Sequence, residues 1–448
     1  MGRIRTGQMT LAVAALFAIA IAGCGGGPSF IGGHDHNAFY DFGGTPDAGT
    51  RDDGSRDTGV TDDGMTQDNV SDGDADPDDD DGSSRDAVRD EHGGQDDASR
   101  DQGEGTDSNT PTDQGGVDTG TDDPPAVFVA DLGSGSLNNW ETRAKALIGG
   151  ARNSIDLAHL QFLMYSPDDI SIADSIKAAA ARGVKVRVLL DDDVDSSAAR
   201  VNDLNSASRN IDAKVDDWSG TTHVKLIVVD DAQVLVGSTN LSKSALYHNN
   251  EANLWISDPA AVGEFARYFD SLFNVPGSQA SMYADWSNGV LPIGDDEYED
   301  EVSPLIDSAG TRVLLAMYDL NQDSAAASRL TDKLGDAARR GVDVRVVLER
   351  CNESWAYYVT EDNLESADIL RDAGVDVRFD EPSGETDRVV THTKLLVIDD
   401  AVVVYSGNWN NSGLRNNHEA GAIVTGVRQV SDAATTYFNS LWNEGSAQ

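Results

Sequence analysis

Residues 222–231 read Thr-His-Val-Lys-Leu-Ile-Val-Val-Asp-Asp, and residues 391–400 read Thr-His-Thr-Lys-Leu-Leu-Val-Ile-Asp-Asp. Each stretch holds a histidine, a lysine two residues on and an aspartate five residues beyond that: His223, Lys225, Asp230 and His392, Lys394, Asp399. After each lysine comes an unbroken apolar run, 226–229 and 395–398, which predicts a buried β-strand. Residues two apart in a strand share a face, so each lysine is expected beside its histidine. That places a fixed cation next to a ring nitrogen. Each aspartate, five residues from its lysine, is expected on the other face or in the following turn. With only eight histidines in the chain, chance repetition of this spacing is a poor explanation.

Outward from the two stretches, the similarity continues. Ala180-Ala181-Arg182-Gly183-Val184-Lys185-Val186-Arg187-Val188-Leu189-Leu190 parallels Ala338-Arg339-Arg340-Gly341-Val342-Asp343-Val344-Arg345-Val346-Val347-Leu348. Both read as a helix that stops at glycine and feeds a buried strand. Strands are predicted within 154–165 and 312–320, and helices over 170–181 and 325–339. A further strand over 374–379 is weakly mirrored at 211–215. Strand alternating with helix argues for an α/β fold with helices packed on a mixed sheet. Two copies make an internal duplication: a first domain over 124–288 and a second over 289–448. The acidic stretch 285–300 is the candidate linker between them.

The doubled H-x-K-x4-D pattern resembles the signature of the phospholipase D superfamily. The resemblance implies a tandem, pseudo-twofold pair of phospholipase D-like domains whose two motifs meet in one chain, which therefore acts as a monomer. It also implies phosphodiester cleavage through a covalent phosphohistidine, with no metal and no cofactor. On that resemblance His223 is the nucleophile and His392 the general acid, and pseudo-symmetry leaves the reverse open. Lys225 and Lys394 would bind phosphate oxygens, while Asp230 and Asp399 would be structural. Gly237-Ser238-Thr239-Asn240 is similar to the family's G-S-x-N element, which gives Ser238 and Asn240 to the phosphate. Glu251 stands where the family has a glutamate behind its histidine, and Glu419 echoes it, through Asn249-Asn250-Glu251-Ala252 and Asn417-His418-Glu419-Ala420. The second copy departs from the element, reading Tyr405-Ser406-Gly407-Asn408-Trp409-Asn410. Its interval from histidine to glutamate is also one residue shorter. Asn408 is the chosen phosphate ligand there, Asn410 the reserve, and Ser406 the partner of Ser238. His159, in an apolar strand, is expected to be a satisfied core histidine.

The N-terminus carries Arg3 and Arg5, then an apolar run from Leu11 to Ala22, too short for a comfortable membrane span. It ends in Ile21-Ala22-Gly23-Cys24, which resembles the lipobox of bacterial lipoproteins and implies a signal peptide over 1–24 with lipidation at Cys24. An ordinary signal peptide with an incidental cysteine is the alternative. The implied address is the bacterial cell envelope, outer membrane or cell surface. Residues 25–123 are rich in Asp, Gly, Ser and Thr, with too little apolar surface to offset ordering entropy, and are expected to form a disordered tether. Calcium binding by its Asp-Gly stretches is the alternative there. Cys351 is the only other cysteine, so the folded region must be stable through its core.

The chain has a formal net charge of −45. Acidic residues outnumber basic ones 28 to 7 through residue 125 and 50 to 26 beyond it. A nucleic-acid enzyme is expected to show a basic footprint, and none appears overall. The favoured substrate is therefore phospholipid, with a membrane as partner through the anchor. A metal-independent endonuclease, a cardiolipin synthase-like phosphatidyltransferase and a catalytically silent scaffold are the alternatives.

Overall fold

The computed structural model describes residues 124–446 apart from 134–138, 164–166, 276–279, 351–356 and 381–388. The lipobox with Cys24, the acidic segment 25–123, Cys351 and Tyr165 lie outside the described residues. The first half supplies strands β1 (Ala126–Asp131), β2 (Ser154–His159), β3 (Lys185–Leu190), β4 (Ile211–Val215), β5 (Lys225–Val229), β6 (Gln233–Gly237) and β7 (Glu251–Ile256). The second supplies β8 (Val290–Gly294), β9 (Arg312–Met317), β10 (Asp343–Glu349), β11 (Asp376–Asp380), β12 (Lys394–Ile398), β13 (Ala401–Tyr405) and β14 (Ala420–Val424). The first sheet runs β1-β7-β6-β5-β2-β3-β4 and the second runs β8-β14-β13-β12-β9-β10-β11, the same order strand for strand. In each, three strands are parallel (β2, β3, β4 and β9, β10, β11) and the rest antiparallel. The fold is α/β, a duplicated pair of mixed sheets flanked by helices.

Those helices are α1 (Asn139–Gly150), α2 (Pro167–Ala181), α3 (Ser197–Ala207), α4 (Lys243–Tyr247), α5 (Pro259–Asn274), α6 (Tyr298–Ser308), α7 (Ala325–Arg339), α8 (Tyr357–Asp372) and α9 (Arg428–Glu444). The predicted helix–glycine–strand junctions form at Gly183 (φ 103°) and Gly341 (φ 90°), left-handed positions that glycine occupies without strain. No helix among the described residues is long and apolar enough to cross a membrane.

Why the runs after the two lysines are continuously apolar is clear from the packing. Leu226 and Val228 of β5, with Leu395 and Val397 of β12, enter one core shared by both halves. Ile227 and Val229 face the outer core of the first half, and Leu396 and Ile398 that of the second. Both faces of these strands are buried, each Val or Leu contributing about 1.5–3 kcal/mol. Helices α5 and α9 complete the shared core through Phe265, Phe269 and Leu272, and through Ala434, Phe438 and Leu441. Helix α5 starts sharply because Asp258 caps it, its carboxylate accepting from the Ala261 amide at 3.0 Å, with Pro259 in the first turn.

The expected linker over 285–300 is a correction. That stretch holds β8, a short 3-10 turn over 295–297 and the start of α6. Several of its acids are specific acceptors or ion-pair partners. Buried Asp295 takes the Tyr268 hydroxyl and the Ala280 amide, Glu297 takes the Gly294 amide, and Glu299 pairs with Arg329.

Candidate active site

Each motif histidine lies just before a central strand, β5 or β12, near the edge where the two halves meet. Two isolated bridges join the halves there. Thr222 pairs with His418, and Asn250 with Thr391. Each bridge sets the residue before a histidine beside the residue before the other half's glutamate. The consequence is a crossed pairing. His223 Nδ1 lies 3.0 Å from Glu419 Oε2, and His392 Nδ1 lies 3.1 Å from Glu251 Oε1. The expectation that Glu251 stands behind His223 and Glu419 behind His392 is thereby corrected. Each glutamate follows its own motif in sequence but serves the histidine of the other half, so each His-Glu pair is built from both halves.

The environment of the two glutamates is matched atom for atom. Ser238 Oγ donates to Glu251 and Ser406 Oγ to Glu419, while each hydroxyl accepts from a backbone amide, Ala252 or Ala420, at 2.9 Å. Asn249 and Asn417 donate to the same carboxylates at 3.1 Å. The serines, expected at the phosphate, are spent on the glutamates. Asn249 and Asn417 were missed as site residues, although both stand two before a glutamate in the echoed sequence. Asn240 and Asn408 are buried, and the Oδ1 atom of each has no hydrogen-bond partner. Asn410 is committed elsewhere, donating to Asp319 and accepting from the Gly413 amide.

The irregular second copy has two local causes. A three-residue turn, Asp230-Asp231-Ala232, joins β5 to β6, whereas Asp399-Asp400 alone join β12 to β13. The missing residue lies in a hairpin turn remote from the histidine, and Ser406 and Asn408 fall into register with Ser238 and Asn240. The second cause is an exchange of volume. Gly237 faces Asn253 across β6 and β7, while Tyr405 faces Gly421 across β13 and β14. A side chain at Gly421 would collide with the Tyr405 backbone at 2.7 Å. The Tyr405 ring packs against Tyr298 at 4.8 Å.

Lys225 and Lys394 are buried, and the Nζ of each donates to the carbonyl of its own motif's histidine at 2.6 and 2.7 Å. Asp230 and Asp399 lie in left-handed turn conformations, φ 55° and 51°. Asp230 accepts from the amides of Arg152, Asn153 and Ser154, and Asp399 from those of Gly310, Thr311 and Arg312. Both tie a hairpin to the start of the neighbouring strand, away from the histidines. His159 is buried beside Lys225 across the β2–β5 pair, but neither ring nitrogen has a hydrogen-bond partner. It is a core histidine but not a satisfied one.

Burial governs the charge state of the cluster. It holds His223 well below its ordinary value, helped by the positive charges of Lys225 and Lys394. His392 is pulled down to about 4 by burial and Lys394, against the pull of Glu251. Burial brings Lys225 down to about 8 and Lys394 to about 7, and pushes Glu419 up to about 8. His223 feels the charge of His392, and each lysine feels both glutamates, so the two motifs occupy one electrostatic site. With Nδ1 of each imidazole committed to a carboxylate, chemistry falls to Nε2. Tyr318 completes the surroundings, its ring 5.0 Å from that of His392 and 5.1 Å from Lys394 Nζ.

Two histidines held in this way beside two lysines, on a duplicated mixed-sheet fold, define an enzyme of the phosphodiesterase or phosphatidyltransferase class. Residues 144–273 and 302–442 match the family described as cardiolipin synthase, PLD-like domain, and the chain belongs to the phospholipase D superfamily. Among curated relatives, a phospholipase D of Rickettsia conorii is 35% identical over 109 residues, covering 24% of this chain and 54% of that protein. A cardiolipin synthase 2 of Bacillus cereus is 28% identical over 144 residues, covering 31% of this chain and 27% of that one. The chain thus spans about half or less of the relatives' length. A phosphatidylserine synthase structure from Haemophilus influenzae superposes with a TM-score of 0.59 at 12% identity, over 72% of this chain and 87% of that one, a likeness of fold.

Proposed function

We propose that the protein is a phospholipase D-type phosphodiesterase that cleaves phospholipid head groups through a phosphohistidine. The observation that carries this reading is the crossed pairing of the two motif histidines with Glu419 and Glu251 in one buried site. His223 Nε2 attacks phosphorus, and the bond to the leaving alcohol breaks. His392 donates the proton that the alcohol needs, then accepts one from water as the phosphorus–nitrogen bond is cleaved. An alcohol in place of water gives transphosphatidylation. The asymmetry of the pairs supports this division of labour. Burial and two lysine charges hold His223 well below its ordinary value, whereas on His392, which burial brings to about 4, the Glu251 carboxylate pulls in the opposite direction, toward the protonated form. Lys225 and Lys394 hold the non-bridging oxygens, with the buried amides of Asn240 and Asn408 as the further donors this reading assigns to the phosphate.

A lipid substrate is supported by the acidic balance of the chain and by the Rickettsia relative's name. We place the protein at the cell envelope as a monomer anchored through Cys24. The test offers the purified protein labelled phosphatidylcholine, cardiolipin and single-stranded DNA without added metal. Phosphatidate release and a labelled adduct on His223 in His392→Ala are expected. DNA cleavage without lipid turnover would replace the lipid reading with a nuclease. The Bacillus relative favours one second reading, phosphatidyl transfer, which the assay reports once labelled phosphatidylglycerol is added, as cardiolipin formed from it.

A further inference from the structure

At the carboxyl ends of β3 and β4 the chain sets four aspartates together. Asp191 directly follows β3 and Asp216 directly follows β4, and the two strands are parallel neighbours, with Leu190 opposite Val215. The Asp216 amide donates to the Leu190 carbonyl at 2.9 Å, which fixes the two acids side by side. Asp192 and Asp193 continue from Asp191, and one carboxylate oxygen from each of these three lies within 4.8 Å of the others. Asp191 and Asp216 are buried, whereas Asp192 and Asp193 are exposed.

Asp216 gives the cluster its meaning. Its side chain is buried, and both carboxylate oxygens lack a hydrogen-bond partner. The Thr222 hydroxyl and the Asp192 amide come near it, but neither makes a hydrogen bond of normal geometry. A buried, unpartnered carboxylate beside three others is costly unless something positive sits among them. The second half solves the same problem within the chain. There Glu349 and Asp380, which end β10 and β11, are hydrogen-bonded, Glu349 by the Thr391 backbone amide and Asp380 by the Asn250 side-chain amide and the Thr391 hydroxyl.

We propose that Asp191, Asp192, Asp193 and Asp216 bind one calcium ion, a cation site peculiar to the first half. An all-carboxylate set suits a hard divalent cation, and the loose arrangement, open to water on the Asp192 and Asp193 side, suits calcium's flexible coordination better than magnesium's strict octahedron. The site is distinct from the phosphohistidine chemistry and supplies no step in it. It adjoins that chemistry, because Asp191 accepts the Thr222 amide at 2.6 Å and Thr222 precedes His223. An ion there would brace the start of β5.

The test titrates terbium and then calcium into chelator-treated full-length protein, exciting tryptophan and reading terbium emission. Trp218, two residues from Asp216, is the nearest sensitiser in sequence, and the acidic segment 25–123 holds no tryptophan. Calcium should displace the sensitised terbium and raise the melting temperature by several degrees, and magnesium at equal concentration should do neither. In Asp192→Asn/Asp193→Asn, both substitutions being on exposed side chains, the emission should be lost, together with one equivalent of calcium, while the metal-free melting temperature does not fall. Trp218→Phe should lose the emission but keep the calcium equivalent. Equal emission and equal calcium stoichiometry in wild type and the double variant would overturn the proposal. So would a stabilisation that sodium reproduces at matched ionic strength.

Discussion

Replacing Glu251 by glutamine should damage the step that His392 performs, although the two residues lie 141 positions apart. Glutamine keeps the shape and one acceptor but loses the charge that favours a proton on the imidazole. A hydrogen bond to a charged group contributes about 1.5–3 kcal/mol, and about 1.4 kcal/mol is tenfold in rate. The expected loss is therefore about 10- to 150-fold in kcat. If His392 is the proton donor, the loss should shrink with a nitrophenyl phosphodiester, whose leaving group departs without a proton. A cycle on that substrate isolates the crossing. In a His392→Ala background, Glu251→Gln should cost almost nothing more, because its partner is gone. Glu419→Gln in the same background should keep its full cost, because it acts on His223. The opposite pattern, with Glu419→Gln silent and Glu251→Gln costly, would refute the crossed arrangement and restore pairing within each half.

Lys394 and Lys225, brought down to about 7 and about 8, lose their charge as pH rises, so kcat/KM should fall in steps across that range; a profile flat from pH 7 to 9 would contradict their role at phosphate. The raised buried acids give a second pH effect. Asp131 and Asp216 near 6, Asp191 and Asp319 near 7, and Glu419 near 8 keep protons in the folded state that the unfolded chain has released. Their contribution is present at low pH and lost as pH rises through those values. The depressed His223 and His392 work in the opposite sense below about 6.5 but are fewer. The melting temperature should thus fall from pH 5 to pH 7 in calcium-free buffer, and a rise would show the acid cluster to be compensated. Asp399→Ala removes the acceptor for three backbone amides and should cost about 2–3 kcal/mol in denaturant unfolding, with kcat per folded molecule unchanged. A proportional loss of kcat would give Asp399 a part in the chemistry.

Much of the fold was legible because the chain repeats itself. The helix over 325–339 and the strand over 211–215 fall where periodicity put them, and the apolar runs after Lys225 and Lys394 are central strands buried on both faces. Acidity misled over 285–300. Composition suggests solvation, but a carboxylate such as Asp295 is an internal acceptor whose donors come from Tyr268, Ala280 and Glu419, residues far apart in sequence.

The identities of the histidines and lysines were open to a reading by spacing, because strand geometry is local. Their partnership with the glutamates was not. Spacing after a motif tempts one to pair Glu251 with His223, yet strand β7 carries Glu251 to the edge where Asn250 meets Thr391 of the other half. Only the contact between halves decides which histidine each carboxylate reaches. The same contact explains why neither motif could work alone in this chain. A half by itself holds a histidine whose Nδ1 has lost its carboxylate, and a buried glutamate that has lost its imidazole. Duplication with exchanged partners thus makes the catalytic unit inseparable from the interface. A substitution at Thr222 or Asn250 that loosens a bridge should act on chemistry through the histidine's orientation, without touching substrate.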